Sequence, residues 1–259
     1  MLIDEQLPMD SSNLPMAGLV AHRGLAASFP ENTIRALDAS IQAGARIIEF
    51  DLQITADGEP VLFHDATFER VGGDQADIRD LTLSQARELS VGCPSQFGRR
   101  FPNQRLDSLV ETVAHLRSLP TIHSWVEIKG ESIDRFGLER CARPILRAIE
   151  PLRGLASVIS FEPDAVRLAK SEGWPVGLCL EDLSELWRAL AEDIQPDFLL
   201  FDEKNLSSSD DLWPGAWRYG CWEVVDIDRA KILHGMGVHY VESMAVDVLI
   251  ADTEISRWA

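Results

Sequence analysis

Short apolar runs recur along this chain, several of them followed by a stretch with helical spacing, and that alternation restricts the fold more than any other feature. Runs of strand length start near residues 18, 46, 125, 157, 176, 198, 221 and 239. Helical periodicity follows at 34–44, where Ile34, Leu37 and Ile41 share a face, and again at 163–172, 183–191 and 228–235. A repeated strand-helix order implies a parallel sheet, and eight such units in 259 residues suggest an α/β fold closed as a (β/α)₈ TIM barrel, one domain over residues 1–259. A ninth run, 61–64, fits either a hairpin arm or a barrel strand of its own.

The second and ninth runs belong to one segment, 46–65. Side chains two apart in a strand share a face, so Glu49 and Asp51 point together while Ile48 and Phe50 enter packing. If Asp57-Gly58 forms a two-residue turn, the hairpin sets Asp51 directly opposite His64. Adjacent carboxylates repel unless a proton or cation lies between them, which suggests a divalent metal; solvated acids on an edge strand are the alternative.

Barrel geometry favours the metal, because reactive groups collect at the C-terminal ends of the strands. His22 and Arg23 end the first strand, Glu49 and Asp51 the second, and Glu127 and Lys129 the strand from Trp125, with His64 joining them in either reading of its run. The carboxylates of Glu49, Asp51 and Glu127 are hard oxygen donors, suited to Mg²⁺ or Ca²⁺. The net charge of −18 argues against nucleic acid or an anionic membrane surface as partner, so an anionic substrate needs local cations such as Arg23 and Lys129.

Three further expectations follow from the chain in order. Residues 66–105 lose periodicity and read as an insertion or lid with one short helix, 82–89, under a Thr-x-x-Gln cap; Asp107 then caps a helix running to about 118. The four cysteines are isolated and read as buried free thiols. The acidic N-terminus lacks a basic leader and an apolar core, and no run reaches membrane-spanning length, so the cytoplasm is the default location, with no membrane anchor.

Taken together, His22-Arg23-Gly24, Pro30-Glu-Asn-Thr33, Glu49-x-Asp51, Asp57-Gly58, His64-Asp65 and Glu127-Ile-Lys129 resemble, in order and spacing, the signature of the glycerophosphodiester phosphodiesterases. The resemblance continues more weakly to about residue 243. It implies a metal-dependent enzyme acting on a small glycerophosphodiester, with His22 and His64 as acid and base and Glu31 and Asn32 orienting the His22 loop. One histidine would deprotonate the glycerol 2-hydroxyl or a water while the other protonates the departing alcohol. Trp222 matches an aromatic of that family's pocket, and Phe161 is a second candidate there.

The late strands depart from the family pattern. Glu223 stands where Thr usually follows the tryptophan, Gly237-Val-His239 replaces Gly-Val-Asp, and Glu242-Ser-Met244 replaces a closing Thr-Asp. These changes leave the preferred diester open and admit a lysophospholipid or inositol-type substrate. A non-catalytic barrel that binds a phosphodiester is the reading from another class.

Overall fold

The computed structural model describes residues 18–258, and the polar leader at 1–17 lies outside the described residues. Nine strands form one sheet: β1 (Gly18–Ala21), β2 (Ile47–Ile54), β3 (Pro60–Leu62), β4 (His123–Ile128), β5 (Ala156–Ser160), β6 (Val176–Leu180), β7 (Phe198–Asp202), β8 (Arg218–Trp222) and β9 (Tyr240–Ser243). Their order, β1-β9-β8-β7-β6-β5-β4-β2-β3, closes through β1 pairing with β2. Eight strands thus make a parallel barrel, as expected, and β3 is an antiparallel arm outside the ring.

The two-residue period of the strands separates two cores. Ile48, Phe50, Leu52 and Ile54 face outward into the layer shared with the helices. Ile47, Trp125, Ile159, Phe198, Leu200 and Tyr240 fill the interior, where Trp125, Phe198 and Tyr240 contact one another with ring centroids 5.1–5.5 Å apart. This aromatic plug closes the interior, so a ligand has room only at the strand ends above it.

Helices α1 (Ile34–Ala43), α5 (Leu109–Leu116), α6 (Gly130–Phe136), α7 (Leu138–Ile149), α8 (Pro163–Ser171), α9 (Glu185–Ile194), α10 (Ile227–Gly235) and α11 (Val246–Ile250) follow the barrel strands or β3, and three one-turn helices, α2 (Glu69–Gly72), α3 (Leu83–Ala86) and α4 (Pro94–Phe97), lie between β3 and α5. Thr33 is the N-cap of α1, its hydroxyl accepting from the Ala36 amide, which leaves Asn32 free for another task. The segment 66–105 carries three short helices where one is expected, and its Phe68, Ile78 and Val91 bury against Phe63 and Leu106. Thr82 and Gln85 do form a capping box, but that helix stops at Ala86.

Three local expectations are corrected. The hairpin pairs Leu52 with Leu62 and Ile54 with Pro60, so Asp51 stands opposite Phe63, one residue short of His64. The cause is the turn: Thr55 pairs with Glu59 across three residues, and Gly58 takes φ +87°, as in a three-residue loop with a glycine bulge. The cap of α5 is Ser108, reciprocated by Glu111, whereas Asp107 accepts from the Ile34 amide and ties α5 to the start of α1. The eighth barrel strand ends at Trp222 instead of starting at Cys221, because Asp226 caps α10 and the chain must turn out toward it.

Candidate active site

The strand ends of β1, β2 and β4 deliver charge to one place. Asp51 and Glu127 are register partners on adjacent strands, so their inward side chains meet. Ligand oxygens of Glu49, Asp51 and Glu127 all lie within 4.8 Å of one another, and all three residues are buried. Gln53, next inward on β2, donates to the His64 carbonyl at 3.0 Å, and the Phe63 amide donates to the Asp51 carbonyl at 3.0 Å. These two bonds bring His64 to the rim despite the shifted register.

The loop after β1 is shaped by backbone geometry. Gly24 has φ +77°, and a Cβ there would stand 2.5 Å from the Ala36 carbonyl carbon, so the loop packs on α1 only with glycine. Arg23 is itself in the left-handed region, at φ 56°, a conformation costly for a bulky residue. That geometry lets the Arg23 amide donate to Glu49 Oε2 at 2.9 Å while its Nε lies 3.1 Å from Asp51 Oδ2. Asn32 donates to Asp51 Oδ2 at 2.8 Å, and its own carbonyl accepts from the Asp51 amide at 3.0 Å. Glu31 accepts from Arg23 at 3.1 Å and from Arg70, which also binds Asp65. Asn32 thus braces a carboxylate, and Glu31 links the loop after β1 to the 66–105 segment.

Both histidines are held at one nitrogen by a carboxylate. His64 Nδ1 lies 2.5 Å from Asp65 Oδ1, and His22 Nδ1 lies 2.7 Å from Glu223 Oε2. The other nitrogen of His22, Nε2, faces the acidic cluster, 4.0 Å from Glu49 Oε2. Burial lowers the His22 imidazole below its ordinary value, with Arg23 adding to the effect and Glu223 opposing it.

The carboxylates differ in how well their charge is met. Burial pushes Asp51 up, but Arg23 and Lys129 outweigh it and hold that carboxyl well below the usual range. Burial raises Glu127 to about 7 although Lys129 Nζ is only 2.9 Å away. Glu49 is driven well above its ordinary value by burial and by Asp51, and a fourth carboxyl, Glu242 on β9, by burial and by Glu127. Glu49 Oε1, Asp51 Oδ1 and Glu242 Oε1 are buried with no hydrogen-bond partner. Positive charge is in deficit here, and orphaned hard oxygens on Glu49 and Asp51 fit a divalent cation.

Above the cluster is a small pocket of about 90 Å³. His22, Arg23, His64, Glu127, Lys129 and Glu242 line its polar side, and Ile159, Phe161, Cys179, Leu200 and Trp222 its apolar side. Phe161 and Trp222 meet edge to face, with ring centroids 5.5 Å apart. Every residue proposed from the sequence for substrate contact or proton transfer therefore faces one space, while Glu49 and Asp51, almost fully buried, are not among its lining residues.

Three participants were not assigned a role by sequence reasoning. Arg70 comes from the aperiodic segment and carried no signal. Glu223 stood out only as a departure from the family pattern. Glu242 was detectable, because it is two residues beyond the inward Tyr240 on the same strand. The remaining histidines are occupied elsewhere: His115 on Asp38, His123 on Ser157, His234 stacked on Trp258, and His239 accepting from the Tyr219 amide. All four cysteines are free and buried.

The site thus sets two histidines in one pocket over a buried acidic triad at the strand ends of a parallel (β/α)₈ barrel. The glycerophosphoryl diester phosphodiesterase family model matches residues 22–195, and the chain belongs to that family. It is 40% identical over 147 residues to glycerophosphodiester phosphodiesterase 1 of Bos taurus, a match covering 57% of this chain and 43% of that protein. A glycerophosphodiester phosphodiesterase of Caldanaerobacter subterraneus is 38% identical over 93 residues, 36% of this chain and 37% of its own length. The chain thus spans about two fifths of the length of these curated relatives. In fold it is similar to an Oleispira antarctica phosphodiesterase solved in complex with sn-glycerol-3-phosphate, with TM-score 0.77, 22% identity, and 94% and 96% of the two chains covered. A glycerophosphodiester phosphodiesterase of Thermotoga maritima gives TM-score 0.71 at 20% identity, covering 90% and 97%.

Proposed function

We propose that this protein hydrolyses a small glycerophosphodiester to an alcohol and sn-glycerol 3-phosphate. The observation that carries the reading is the shared pocket: two histidines, each anchored through Nδ1, share it with two cations beside a buried acidic triad. Arg23 and Lys129 hold the anionic phosphate and reverse the field of an acidic protein locally. A divalent cation, Mg²⁺ or Ca²⁺, held by Glu49, Asp51 and Glu127, would supply Lewis-acid polarisation of a phosphoryl oxygen.

The proton transfers fall to His22 and His64. One takes the proton of the attacking hydroxyl, either water or the glycerol 2-hydroxyl, whose cyclic phosphate product a water then opens to sn-glycerol 3-phosphate, and the other gives a proton to the departing alcohol oxygen. Trp222 and Phe161 pack on the carbon skeleton of the substrate. The chain acts as one catalytic barrel, with 66–105 as an insertion that braces His64 through Arg70 and Asp65.

The test is product identity with glycerophosphocholine. Release of choline together with sn-glycerol 3-phosphate supports the reading, whereas phosphocholine and glycerol would mean that the other ester bond is cut. Faster turnover of glycerophosphoinositol or a lysophospholipid would keep the chemistry and change the substrate.

A further inference from the structure

Glu223, at the end of β8, is not a bystander beside Trp222. Its Oε2 lies 2.7 Å from His22 Nδ1, and its Oε1 accepts from the Met244 backbone amide at 2.8 Å. The His22 side chain is 10% exposed and that of Glu223 30%, so the contact is partly buried. A carboxylate accepts and does not donate, and a backbone N–H donates and does not accept. As a carboxylate, Glu223 accepts through both oxygens, one from Met244 and the other from His22. Nδ1 of His22 therefore carries the hydrogen, and the neutral ring turns the lone pair of Nε2 toward the acidic cluster, 4.0 Å from Glu49.

We propose that Glu223 is a positioning residue that fixes the His22 tautomer, leaving Nε2 as the nitrogen available to substrate. The proposal rests on the phosphodiesterase reading for its kinetic part only. Glu223 directly follows β8 and the Met244 amide follows β9, whereas His22 follows β1. The contact therefore ties the late strands, where this chain departs from the family pattern, to the early-strand machinery. In that role it parallels Asp65, which holds His64 through the same ring nitrogen from the adjacent position in sequence.

The isosteric variant Glu223→Gln gives the sharpest test. The Met244 amide still demands an acceptor, so the Gln carbonyl oxygen faces Met244 and its NH₂ faces His22. An NH₂ there requires Nδ1 to accept, which moves the hydrogen to Nε2. An amide replacing a carboxylate beside a catalytic histidine has this effect in serine proteases, at a cost of about 10⁴ in kcat. We expect Glu223→Gln to lose roughly 10²–10⁴ in kcat with KM within about threefold of the parent, and Glu223→Ala, which leaves the ring unconstrained, to lose less. A purely structural role predicts the reverse order, since Gln preserves shape and Ala leaves a gap.

The independent readout is the ring ¹⁵N spectrum of ¹⁵N-histidine-labelled protein at pH 8 with Mg²⁺ present, the His22 signals being assigned by their loss in His22→Ala. The proposal predicts a protonated Nδ1 and a bare Nε2 in the parent, exchanged in Glu223→Gln. An unchanged tautomer in Glu223→Gln, or kcat lower in Ala than in Gln, overturns it. If the parent shows no turnover on any glycerophosphodiester, the functional reading fails, and the spectrum still decides whether Glu223 sets the tautomer.

Discussion

The rim from β1 to β4 and the rim from β5 to β8 are made of opposite materials. On the first, Arg23, Asp51, Glu127 and Lys129 interlock through ion pairs at 2.9–3.6 Å, and Glu49 is held by the Arg23 backbone amide at 2.9 Å. On the second, Ile159, Phe161, Cys179, Leu200 and Trp222 present an apolar wall to the same pocket. Charged groups can be buried this way only where partners are fixed in advance, so the first rim is specified residue by residue; an apolar wall needs volume and shape. In the proposed reaction, the first rim handles the phosphate and the second the organic part of the substrate. Glu223, after β8, and Glu242, on β9, are acidic groups from the late strands that reach the first rim.

The largest effect should come from removing an acid-base group. His22→Ala and His64→Ala are each expected to lose on the order of 10²–10⁴ in kcat with unchanged circular dichroism. Near-parent turnover in either would remove that residue from the chemistry and shift weight to the other rim.

This division also explains what could be read in the sequence. The barrel was legible because strand length and helical spacing recur, and the first rim because Glu49, Asp51, Glu127 and Lys129 obey the two-residue period of single strands. Register was less legible: one glycine bulge at Gly58 moved Asp51 opposite Phe63, and His64 reached the site through Gln53 instead. The link from Glu223 to His22 spans 201 positions and depends on where β8 ends, which local pattern placed three residues late.

The next effect concerns the unmet charge of the first rim. Glu127 titrates near 7 in the fold, whereas an unfolded glutamate titrates near ~4.3, so the folded protein binds this proton more tightly. Glu49 and Glu242 are displaced in the same direction. Each of these acids removes stability from the metal-free protein as pH rises from about 4.5 through about 7, against an opposite trend from His22, His123 and His239, which burial holds neutral below their ordinary value. Added Mg²⁺ or Ca²⁺, which acts on the acids, should restore more stability at pH 8 than at pH 5. Thermal melts checking this should show shifts of several degrees, since ~1 kcal/mol moves Tm by about 2–4 °C at this size. A metal-induced shift equal at the two pH values would mean that the acids are already neutralised.

The smallest effect belongs to the apolar wall. Trp222→Ala removes an edge-to-face partner of Phe161 and should raise KM about 2- to 10-fold, with kcat changed less, in keeping with ~0.5–1.5 kcal/mol for such a contact. A loss confined to kcat would show that the second rim serves the transition state, and the comparison would have to be redrawn.

The central claim, that the acidic triad and the paired histidines hydrolyse a glycerophosphodiester, is tested most directly by glycerol 3-phosphate release from glycerophosphocholine and glycerophosphoethanolamine. Metal-stripped protein would be assayed with EDTA, Mg²⁺ or Ca²⁺. Product is expected only with a divalent cation, and is expected to be lost in His22→Ala. Full activity in EDTA would contradict the role assigned to Glu49, Asp51 and Glu127, and no product under any condition from folded protein would contradict the proposed reaction.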